Sequence, residues 1–159
     1  MRLKNYDRNA AVSYARAWAF GRNPNYYNFD GLGGDCTNFV SQCIFAGAGV
    51  MNYSPVFGWY YISSDSRAPS WTGVEFLGDF LLNNAGAGPF GRLGDGSDCD
   101  IGDVVQFARG GDFYHSAIIS GISGGEILLA AHTFDALNRP LRTYSYEQAR
   151  FIRIGGVRI

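Results

Sequence analysis

Cys36 stands in the run GGDCTNF, where a glycine loop delivers a thiol to the start of a helical stretch. Unpaired N–H groups and the helix dipole at such a position stabilise a thiolate and lower its pKa. The same N–H groups can donate to an oxyanion. A buried structural thiol is the ordinary fate of a free cysteine, so this placement tilts the balance only in part. Two histidines complete the inventory, His115 and His132, at the ends of two neighbouring apolar stretches joined by a short glycine turn. If those stretches pair as a hairpin, both imidazoles reach one edge of a sheet. A Cys–His couple needs an imidazole that takes the thiol proton and later protonates a leaving amine. It also needs a polar group that fixes the ring. His132 is the candidate for that third role, with Asp135 and Asn138 in reserve, while two structural histidines fit the spacing about as well.

The other cysteines serve as controls. Cys43 lies seven residues beyond Cys36, about 10.5 Å along one helix face, too far for a disulfide and away from any terminus. Cys99 stands between Asp98 and Asp100, whose charges oppose a thiolate. Metal chemistry lacks its motifs, with no C-x-x-C and no H-E-x-x-H. A Walker-type phosphate loop is absent as well, and no arginine follows Cys36 where a cysteine phosphatase needs one. No cofactor is expected.

These residues need elements to position them. Periodicity predicts a helix over residues 6–20 with Asn5 as its cap, a second from Cys36 to about residue 46 capped by Asp35, and a third over 74–83. Residues 84–102 read as a long glycine-rich loop, a candidate lid. Strands are expected at 103–108, 115–122, 126–132, 141–144 and 150–154. Helices first and strands later predict a single α+β domain over 1–159 with an antiparallel sheet.

Composition narrows the partners. The 159 residues carry 13 Lys+Arg against 14 Asp+Glu, a net charge of −1, with a pI near 6.0. That balance argues against a nucleic-acid partner. No apolar run reaches the roughly 18–20 residues of a membrane span, and no signal peptide is visible near residue 1. Localisation and oligomeric state stay open. Trp59, Tyr60, Tyr61 and Trp71 are candidates to wall a groove, although packing is the commoner use of aromatics. Arg109 and Asp112, just before His115, are candidates to border the site or to be solvated loop residues.

Taken together, DCTNFVSQ (35–42), GDVVQF (102–107), HSAII (115–119) and HT (132–133) resemble the bacterial putative amidase domain family. YDRNAAVSYARAWA (6–19) and SWTGVEFLGDFL (70–81) extend the likeness over nearly the whole chain. That family is similar to papain-like cell-wall hydrolases, including the CHAP-type cysteine, histidine-dependent amidohydrolase/peptidase domains. The resemblance implies a papain-like α+β fold, with the nucleophile on a helix packed against the sheet that brings the histidine. It implies Cys36 as nucleophile and His115 as general base and acid, with His132 at the third position. Asp35 would cap the helix and help hold a substrate amine, and Trp59 would contribute to substrate binding. The implied reaction is hydrolysis of an amide, in bacterial peptidoglycan or another peptide, at the cell wall if the protein is exported. The rival readings are a Cys–His acyltransferase and a non-catalytic cell-wall or protein-binding module.

Overall fold

In a computed structural model describing residues 1–159, Asp7 starts the first helix, α1 (Arg8–Trp18), its carboxylate accepting from the Ala10 N–H at 3.0 Å. The expected cap, Asn5, is still leaving a short strand, β1 (Leu3–Lys4). Ala11, Val12 and Ala15 bury one face of α1. The second helix, α2 (Cys36–Ala48), begins where expected and ends at Gly49, whose φ of 69° suits glycine and whose N–H donates to the Phe45 carbonyl. A two-stranded ribbon, β2 (Tyr61–Ser63) with β3 (Ser66–Arg67), leads to the short helix α3 (Pro69–Thr72), none of them expected, and then to α4 (Val74–Asn83), which the periodicity predicted.

The second half, joined by β1, forms an antiparallel sheet of seven strands. Its members are β1, β4 (Gly88–Gly94), β5 (Val104–Arg109), β6 (Asp112–Ser123), β7 (Glu126–Ala131), β8 (Ala136–Pro140) and β9 (Gln148–Arg158). The order runs β1-β9-β5-β6-β7-β8, with β4 along the other side of β9. Two expectations are corrected here. Residues 88–94, read as part of a lid loop, pair with β9 from Gly88↔Arg158 to Gly94↔Phe151. The strand expected at 141–144 lies earlier, at β8, and residues 141–143 form a 3₁₀ turn. At 88–94 glycine and proline hid a strand whose partner is distant in sequence, while β8 pairs with its chain neighbour β7.

Alternation along the strands gives the sheet two apolar faces. Val104, Ile118, Ala130 and Ile152 pack with Phe39, Ile44, Leu77 and Leu81 of the helices. Val105, Phe107, Ala117, Ile119 and Leu129 form a second cluster, covered by Tyr144 and Tyr146. Burying each of the valine, leucine, isoleucine and phenylalanine side chains fully is worth roughly 1.5–3 kcal/mol. The architecture is therefore α+β, with α2 laid on β6 and its N-terminus emerging beside the sheet. No helix is long and apolar enough to cross a membrane.

Candidate active site

The approach to Cys36 is made by Gly33 and Gly34, at φ 90° and 98°, a backbone that side chains rarely adopt. This turn lets the chain reverse directly into α2. Phe39 N–H donates to the Asp35 carbonyl, while the N–H groups of Cys36, Thr37 and Asn38 meet no protein acceptor. Asp35, expected to cap with its side chain, makes no such bond. Its carboxylate, 1% exposed, instead accepts from Phe29 N–H at 3.0 Å, Asn38 Nδ2 at 2.9 Å and His132 Nδ1 at 2.5 Å. Burial works to raise this carboxyl, but those bonds outweigh it and hold it below the usual carboxylate range. It is enclosed by these partners.

The polar residues of α2 each have a partner that the fold supplies. Asn38 accepts from the Trp71 indole at 3.0 Å, and Ser41 from the Trp59 indole at 3.1 Å. Gln42 accepts from the Tyr14 hydroxyl. Thr37 shares a hydrogen bond of 2.9 Å with Ser116, and its hydroxyl lies 3.7 Å from Cys36 Sγ. Ser116 in turn accepts from Gln106 at 3.0 Å, and Gln106 accepts from Arg150 Nε at 2.9 Å. A buried polar chain thus runs from the sheet to the sulfur. Trp59, expected to help bind substrate, is fully buried, as is Trp71. Their aromatic area packs the core while their N–H groups fix α2.

Cys36 and His115 line one cleft of about 430 Å³, with Phe107, Tyr114, Phe134 and Arg139 among its walls. His115 stacks on Phe107, ring centroids 5.7 Å apart and nearly parallel, and Phe107 stacks in turn on Tyr146 at 4.7 Å. Burial, with Arg139 repelling the imidazolium, pushes His115 down to about 4. Its ring is oriented by stacking, and none of the three expected partners reaches it. His132 is buried elsewhere: its Nδ1 meets Asp35, its Nε2 meets the Trp18 carbonyl at 2.8 Å, and its ring stacks on Phe39 at 4.0 Å. Asp135 pairs with Arg22 at 3.0 Å, and Asn138 accepts from Ser120 at 2.8 Å. Arg109 reaches Ser145 behind the cleft rim, and Asp112 is exposed.

The remaining thiols lie outside this cleft. Burial pushes Cys43 well up, and Cys99 is raised by burial and then by Asp103 and Asp98. All three cysteines are free. No three His, Cys, Asp or Glu side chains are grouped to hold a metal ion.

A family model described as a putative amidase domain matches residues 5–154, spanning Cys36, His115 and His132. The chain belongs to the putative amidase domain family. Among curated relatives, the uncharacterized protein YhbB of Bacillus subtilis (strain 168) is 33% identical over 152 residues, covering 93% of this chain and 47% of YhbB. YjcM of the same organism, also uncharacterized, is 26% identical over 147 residues, 87% of this chain and 33% of YjcM. The chain thus spans about half the length of one relative and a third of the other. No solved structure matches it. Family membership supports an amidase-like hydrolase acting on amides.

Sequence reasoning missed Arg139, Tyr144, Thr133 and Phe134. The last two occupy the turn between β7 and β8 at φ 61° and 59°, strained values for such residues. Misplacing β8 by five residues moved Arg139 out of the strand that borders the cleft, and Thr133 entered only as part of the HT motif, without a role.

Proposed function

We propose that the protein is a cysteine-dependent amidohydrolase or peptidase cutting an amide bond, with bacterial peptidoglycan as its substrate class. The reading rests on one observation: Cys36, at a helix N-terminus with three unpaired N–H groups, shares a cleft with His115. The papain-like arrangement implied by the sequence resemblance agrees with this placement. His115 takes the thiol proton as Cys36 Sγ attacks the amide carbonyl carbon. The helix N–H groups receive the oxyanion. The C–N bond breaks as His115 returns the proton to the departing nitrogen, leaving a thioester on Cys36. Water then attacks, giving a proton to His115, and the C–S bond breaks with the proton restored to sulfur and a carboxylic acid released.

In this reading Cys36 and His115 work as a dyad. Asp35 and His132, assigned substrate-binding and orienting roles by the resemblance, instead hold the turn that presents Cys36. Incubating wild type and Cys36→Ala with purified peptidoglycan fragments, followed by mass spectrometry, tests the proposal. Cleavage and a trapped acyl-enzyme are expected with wild type alone. Cleavage retained in Cys36→Ala overturns it, and conjugates formed only with added amines favour an acyltransferase.

A further inference from the structure

Arg139 is the one permanently charged side chain among the cleft walls, and no Asp or Glu accompanies it there. Its guanidinium is held in place: Nε donates to Thr143 Oγ1 at 2.9 Å and Nη2 to the Thr143 carbonyl at 2.9 Å. Thr143 is itself tied to the Pro140 carbonyl at 2.7 Å. The guanidinium carbon lies 4.0 Å from the Tyr144 ring centroid. Nη1 has no protein partner, and no carboxylate pairs with the guanidinium. An arginine fixed in geometry and left without an anion is pre-organised for a carboxylate, which it binds through paired N–H donors. Phe134, 87% exposed at the same cleft, and Tyr114 offer apolar surface to the rest of such a ligand.

We propose that Arg139 binds a carboxylate of the substrate beside the scissile amide, so that the preferred substrate is an anionic peptide. This rests on the hydrolase reading above and deepens it. Arg139 also disfavours the imidazolium of His115. A bound carboxylate offsets that repulsion and makes His115 a stronger base when substrate is in place.

Iodoacetate and iodoacetamide are of similar size and react alike, yet only the first carries a carboxylate. Their alkylation rates at Cys36 are measured by peptide mass spectrometry, with Cys99 as internal reference. Because both reagents attack the same sulfur, changes in thiol reactivity cancel in the ratio. In wild type the iodoacetate-to-iodoacetamide ratio is expected to be about tenfold higher at Cys36 than at Cys99. The Cys36 ratio falls several-fold in Arg139→Gln and is partly kept in Arg139→Lys. An unchanged ratio in Arg139→Gln overturns the proposal.

A second readout uses neither the thiol nor a variant. Glutarate is expected to shift the ring signals of His115 in wild type but not those of His132, the only other histidine. Glutaramide is expected to shift neither. Absence of the glutarate shift overturns the carboxylate site. Failure of iodoacetamide to prefer Cys36 over Cys99 counts instead against the hydrolase reading, so the two failures are distinguishable.

Discussion

His115 stays neutral down to about pH 4 because burial strips water from its ring and Arg139 repels the imidazolium. A free imidazole takes its proton at about 6.5. In the proposed mechanism the imidazole is therefore unprotonated, and able to accept the thiol proton, across the whole range above its own midpoint. Ring signals of His115 should titrate near pH 4, and the midpoint should move upward in Arg139→Gln; a midpoint near 6.5 in wild type contradicts the assignment. The linkage has a definite sign. Between roughly pH 6.5 and 4 the unfolded chain binds a proton that the folded chain refuses, so this residue subtracts stability as pH falls through that window. Cys36 and His115 were both legible in the sequence, one from a glycine turn before a helix and the other from its place on a strand. The absence of a hydrogen-bonded third residue was not, since stacking between Phe107 and His115 depends on strand register.

At the scale of elements, Asp35 ties three segments together. It holds the loop at Phe29, the first turn of α2 through Asn38, and the end of β7 through His132. Arg22 adds a contact of 3.6 Å to Asp35 while bridging Asp30 and Asp135. Asp35→Asn is expected to cost roughly 1–3 kcal/mol at pH 7, as Phe29 N–H, Asn38 Nδ2 and His132 Nδ1 lose a charged acceptor inside the fold. The folded carboxyl sits below its ordinary range, so its contribution is complete above the unfolded value of about 3.9 and is lost as pH falls through the folded one. Denaturant midpoints should show the gap between wild type and variant narrowing below about pH 4; a constant gap contradicts the charge argument. DCTNFVSQ was readable as a motif from the sequence, but the work of its polar residues was not. Asn38, Ser41 and Gln42 serve Trp71, Trp59 and Tyr14, partners brought close only by tertiary packing.

For the whole molecule, the α+β order of helices then sheet was legible because strand alternation and helix periodicity are local signals. β4 was not, since three of its seven residues are glycine and one is proline, and its pairing with β9 lies some sixty residues away. Hydrogen exchange at Gly91–Gly94 should therefore be slow and indifferent to ligand; fast exchange that slows only on ligand binding would restore the lid reading. Closure by that segment is not part of the fold. The Asp35 knot carries a further consequence. It joins the bank of the cleft bearing Cys36 to the turn bearing Thr133 and Phe134, so the two banks behave as one body. A ligand arriving there has little chain to organise and forfeits little conformational entropy, which leaves discrimination between candidates to shape and charge at the moment of encounter.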